Sequence, residues 1–166
     1  TAKAVARQSM SSTVLALLAY ALAALPGSLL GRWAAPALSV GVGAHAAMLA
    51  SEISTLGSSA AGPRLGFGPV LSLTLCLVLA VHTIESRFVP LPSVRRILAC
   101  AGGAGVTLAL AFPGERHVLT SAWAPLHWVL GVGSYGLFGA AVLHGLLLDS
   151  AERRLRKRAT AGPAGA

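Results

Sequence analysis

The chain has 166 residues, of which 55% are hydrophobic and only 11% charged, with a mean hydropathy of +0.73 and a formal net charge of +8. A soluble domain keeps about a quarter of its residues charged to face water. This composition therefore excludes a water-facing surface and requires an exterior in contact with lipid. The basic excess does not indicate nucleic acid, because the charges stand in short runs between apolar stretches rather than along one phosphate-binding face.

Five stretches approach the ~20 apolar residues needed to cross a ~30 Å hydrocarbon core. They predict an all-α, polytopic transmembrane helix bundle over residues 10–158. The first span is 12–30, preceded by an extension, 1–9, that carries Lys3 and Arg7. Its apolar run is long for a signal peptide, and four further spans follow, so it reads as a retained helix. Gly31, Arg32 and Trp33 form a short turn, and Pro36 opens the second span, 36–56. A Gly/Ser/Pro loop, 57–63, leads to the third span, 67–84. Pro90 and Pro92 stop helix propagation in the next connection. The fourth span, 94–112, is ended by Pro113 and Gly114. The fifth is 123–148, with the charged segment 152–158 as a short helical extension and 159–166 as a disordered tail.

Nine basic residues (Arg32, Arg87, Arg95, Arg96, Arg153, Arg154, Arg156, Lys157 and Arg158) fall on one side of this arrangement, against Lys3, Arg7, Arg64 and Arg116 on the other. The positive-inside rule then puts the amino terminus outside and the basic tail in the cytoplasm. The tail reads first as a topological anchor and second as a contact for anionic head groups. Gly41 with Gly43, Gly102 with Gly103 and Gly105, and Gly131 with Gly133 place small residues where helices can approach closely. Cys76 and Cys100 lie in apolar runs without a CxxC or Cys/His cluster, and read as buried free thiols.

Ionisable groups inside spans are expensive, and neutral histidine is the usual axial ligand of heme iron. His45 lies near the middle of the second span among small residues, with room for a flat ligand. The competing reading is an imidazole hydrogen-bonded across the bundle to a serine or a backbone carbonyl. His127 opens the fifth span, and Gly131, Ser134, Tyr135 and Phe138 follow at offsets that share its helix face. That face could hold a porphyrin edge, while a plain interfacial histidine beside Trp123 and Trp128 is the simpler alternative. A depth difference of roughly 10 Å between His45 and His127 argues against both ligating one iron. His82, His144 and His117 read as water-solvated groups at span ends and in the outer loop. No carboxylate pair, base-activated nucleophile or phosphate-binding glycine loop is present, which argues against a conventional hydrolase or transferase.

Three stretches carry a family resemblance: AHAAMLASE at 44–52, GFGPVLSL at 66–73 and LHWVLGVGSY at 126–135. Their order over five spans resembles the cytochrome c assembly membrane protein superfamily, nearest its CcsA-like and YpjD-like branch. A histidine followed seven and eight residues later by Ser-Tyr is similar to that family's outward-facing, heme-handling helix. The resemblance implies a multi-pass protein of the bacterial inner (plasma) membrane with heme as cofactor. It makes His127 the principal candidate heme iron ligand and His45 a second cavity histidine, with Ser134 and Tyr135 lining the site. It implies membrane lipid and other cytochrome c assembly subunits as partners. The family's tryptophan-rich WWD segment is not present, since Trp33, Trp123 and Trp128 are the only tryptophans. A truncated or reduced member is therefore expected, at most one subunit of a heme-attachment system. The residues alone also fit a membrane scaffold or a small transporter component without heme.

Overall fold

The computed structural model describes residues 2–53, 64–88, 91–116 and 123–160. The elements are α1 Ala2–Ala24, α2 Gly27–Leu30, a 3-10 turn Gly31–Trp33, α3 Ala34–Ile53, β1 Arg64–Leu65, α4 Phe67–Glu85, α5 Pro92–Ala111, β2 Glu115–Arg116 and α6 Ala124–Thr160. The architecture is the predicted all-α bundle. Among the described residues four helices are long and apolar enough to cross a membrane: Gly31–Glu52, Phe67–Glu85, Pro92–Ala111 and Leu126–Lys157.

The first predicted span, 12–30, is corrected at both ends. Its helix runs back to Ala2 and stops at Ala24, two residues before Pro26, whose missing N–H and ring disfavour continuation. The amino-terminal half is polar, and its hydroxyls turn back on their own helix. Ser11 and Ser12 donate to the Gln8 carbonyl, and Thr13 donates to that of Ser9. α1 is accordingly absent from the set apolar enough to span, although it packs closely along α3 and α5. α6 continues past the fifth predicted span, 123–148, and takes in the predicted helical extension 152–158. Ion pairs at i,i+4, Arg153 with Asp149 and Arg156 with Glu152, line its polar extension.

Successive helices run up and down. At one end β1 pairs antiparallel with β2, Arg64 opposite Arg116 and Leu65 opposite Glu115, so the α3–α4 and α5–α6 connections are tied together. A Cβ on Gly66 would sit 2.8 Å from the Gly114 Cα, and Gly114 itself has φ +72°. Both positions therefore need glycine. At the other end the Arg96 Nε donates to the Ala24 carbonyl at 3.2 Å, joining the start of α5 to the end of α1. The loop 57–63, His117 and residues 161–166 of the predicted tail lie outside the described residues.

The core is built around Tyr20, which is wedged between glycines. A Cβ on Gly41 of α3 would stand 2.8 Å from the Tyr20 ring, and one on Gly102 of α5 only 2.7 Å from it and from a Leu79 methyl. The small-residue expectation thus holds for Gly41, Gly102 and Gly105. It fails for Gly43, Gly131 and Gly133, which have nothing within 4 Å of an added Cβ. α6 instead approaches α4 through Gly136 against Leu77 and Gly139 against Val78. Cys76 is buried as expected, whereas Cys100 is exposed on the outer face of α5.

Candidate functional site

The two candidate histidines occupy opposite environments. His45 is fully buried, and both ring nitrogens are engaged by neighbouring helices. Its Nδ1 lies 3.0 Å from the Tyr20 hydroxyl on α1, and its Nε2 lies 2.7 Å from the Ser72 Oγ on α4. The Tyr20 and His45 rings meet edge to face at 5.8 Å. A neutral imidazole has one donor and one acceptor, and each hydroxyl can donate or accept. In either tautomer both nitrogens are satisfied, so no lone pair is left for a metal. The arrangement matches the hydrogen-bonded reading of His45, with a tyrosine added to the serine.

His127 stands in the first turn of α6, exposed, and its imidazole has no hydrogen-bond partner among the described residues. Ser134, Tyr135 and Phe138 are exposed with it, Tyr135 at 65% and Phe138 at 70%. Gly131 leaves open space at the centre of this face. The opposite face, through Val132, Gly136, Gly139 and Ala140, packs on α4. The helix therefore presents one ligand, an aromatic and a hydroxyl outward on a surface that no described helix covers. Ser134 contributes less than expected: its hydroxyl proton is donated to the Gly131 carbonyl at 2.7 Å, leaving only lone pairs. Tyr135 is the hydroxyl donor available to a carboxylate.

Among the described residues no three His, Cys, Asp or Glu side chains converge as a metal site. Comparison with known protein families, with curated proteins and with solved structures finds no match.

The remaining described histidines lie at the end that carries Arg87, Arg95 and Arg96. His144, half-exposed, donates its Nδ1–H to the Ala140 carbonyl at 2.7 Å, and its Nε2 lies 2.9 Å from the Glu85 Oε1. His82 is not solvated as expected. It is only 4% exposed, and its Nε2 is buried without a hydrogen-bond partner among the described residues. The signal was available in the sequence: His82 follows Leu79 and Val78 by three and four residues, on the inward stripe of α4. Tyr20 was missed as the partner of His45. A tyrosine deep in an apolar helix needs somewhere to put its hydroxyl, and that need was the available clue.

Proposed function

We propose that this chain is a heme-handling component of a cytochrome c assembly system in a bacterial inner membrane, and that heme is met on the outward face of α6. The observation that carries the reading is the placement of His127, Tyr135 and Phe138 on one uncovered face, with open space at Gly131 between them. The four apolar helices and the family-like order of the three sequence stretches support it.

The residues present fit heme on this face and not in the core. The imidazole of His127 has no hydrogen-bond partner among the described residues and could hold the iron, whereas His45 would have to give up two buried hydrogen bonds first. Bound heme supplies the iron and the porphyrin ring that an assembly system delivers. This chain's own residues would bind and orient it: His127 would hold the iron, Phe138 would offer ring surface, and Tyr135 would donate to a carboxylate. The bundle forms one wall of the site, so lipid or another polypeptide supplies the other.

A scaffold without heme is the second reading, favoured by the satisfied hydrogen bonds of His45. Absorption spectra of the detergent-purified protein from heme-replete cells, oxidised and then reduced, separate the two. The expected result is a Soret band that moves on reduction, disappears in His127→Ala and persists in His45→Gln. A flat spectrum after hemin addition overturns the heme reading and leaves the scaffold.

A further inference from the structure

At the basic end of the bundle, the start of α3, the end of α4 and the start of α5 enclose a cavity of about 320 Å³. That volume lies near the lower bound of roughly 300–1,000 Å³ for small-ligand sites. It holds far more than one water of ~30 Å³. Its lining is unusual for a site at the edge of a membrane. Arg95, Arg87 and His82 line it, together with the hydroxyls of Ser39, Thr83 and Ser86, and no acidic residue does.

Three nitrogens of residues that line this cavity are buried without a hydrogen-bond partner among the described residues: His82 Nε2, Arg95 Nε and Arg95 Nη2. A guanidinium is always charged, and leaving its N–H groups desolvated and unpaired is strongly unfavourable. The neighbouring hydroxyls do not relieve it. Thr83 donates to the Leu79 carbonyl, Ser86 to that of Thr83 and Ser39 to that of Ala35. The nearest acid on α4, Glu85, is held by His144. No carboxylate lines the cavity, and the Arg95 N–H groups are its unmet charged donors among the described residues.

We propose that this cavity binds a phosphate group, presented as the head group of an anionic phospholipid or as a free phosphate ion. Arg95 lines it, and its unpaired Nε–H and Nη2–H share one guanidinium edge, which matches two phosphate oxygens once the side chain turns that edge to the cavity. With its proton on Nε2, His82 supplies a third contact from α4, and Arg87, exposed, adds a second guanidinium. Basic cavities between helices at the cytoplasmic boundary suit anionic head groups, and the charge bias puts this end at that boundary. The site is independent of any heme on α6, which faces away at the other end of that helix.

The test uses delipidated protein in a neutral maltoside detergent. Thermal unfolding is followed by tryptophan fluorescence during titration with inorganic phosphate, with dihexanoyl phosphatidylglycerol, and with uncharged dihexanoylglycerol as control. Wild type is expected to unfold at higher temperature with a phosphate-bearing probe and not with the control. Stabilisation by the lipid alone assigns the head group, and equal stabilisation by inorganic phosphate assigns the free ion. Arg95→Gln is expected to weaken the response about tenfold. Because the Arg95 nitrogens are unpaired, the probe-free variant should unfold no earlier than wild type, which a merely structural arginine would not allow. Arg87→Gln, at an exposed position, provides a second weakened variant with no burden on folding. Absence of any shift in wild type, or equal shifts in wild type and both variants, overturns the proposal.

Discussion

Inside a bilayer a polar side chain has no water to fall back on, so each must find a protein partner or face an aqueous cavity. His45 meets that demand through Tyr20 and Ser72, joining α1, α3 and α4 at one point. Interhelical hydrogen bonds in membranes contribute about 0.6 kcal/mol on average and up to ~1.7. Tyr20→Phe, which keeps the ring between Gly41 and Gly102, should therefore lower stability by about 1 kcal/mol. His45→Ala removes both bonds, strands two hydroxyls and opens a cavity, for a loss of about 2–4 kcal/mol. Unfolding in mixed detergent micelles measures both, alongside the Soret band. Loss of heme in Tyr20→Phe without loss of stability would show that the triad itself is the ligand site. The sequence made His45 visible as an interior histidine with a serine partner as one option. It could not separate ligand from joint, because that depends on which side chains two distant helices bring within 3 Å.

Helix rotation decides which glycines matter. In water an apolar stripe fixes the inward face, but in lipid a helix apolar all round carries no such asymmetry, and its orientation follows from packing. Span positions for α3, α4 and α5 were therefore legible to within a few residues, while the packed face of α6 was not. The paired glycines Gly131 and Gly133 looked like the contact, and Gly136 and Gly139 make it. The consequence can be checked with two substitutions on one helix. Gly136→Leu drives a side chain into Leu77 and should destabilise the bundle by several kcal/mol, as overpacking that helices cannot relieve by small shifts. Gly131→Leu meets only open space and should leave the unfolding midpoint within about 0.5 kcal/mol of wild type. If heme lies on this face, the same Gly131→Leu should nonetheless weaken heme retention, because the added side chain fills the gap beside His127. Equal destabilisation by both would mean that α6 is rotated relative to this arrangement.

At the scale of the molecule, the charge bias gives a direction and the fold gives a pairing, and one experiment tests both. The up-and-down order was readable from the alternation of apolar runs with Pro/Gly connections. The ladder between β1 and β2 was not, since two residues on each side of long connections carry no period to detect. Arg64 and Arg116 face each other in that ladder, and paired strand residues bring Cα atoms to about 4.5–5.5 Å. That spacing lies within the ~4.4–6.8 Å range a disulfide requires. Arg64→Cys with Arg116→Cys, in a background where Cys76 and Cys100 are alanine, should therefore form a bond wherever the compartment is oxidising. If the amino terminus lies outside, as nine basic residues against four predict, the ladder lies in an oxidising outer compartment. Cells quenched with a thiol-blocking maleimide should then show a fast-migrating, reductant-sensitive species. Free thiols that an impermeant maleimide labels in intact cells would keep the orientation and reject the ladder. Free thiols labelled only after lysis would invert the orientation, and with it the side on which the cavity lined by Arg95 and the face of His127 open.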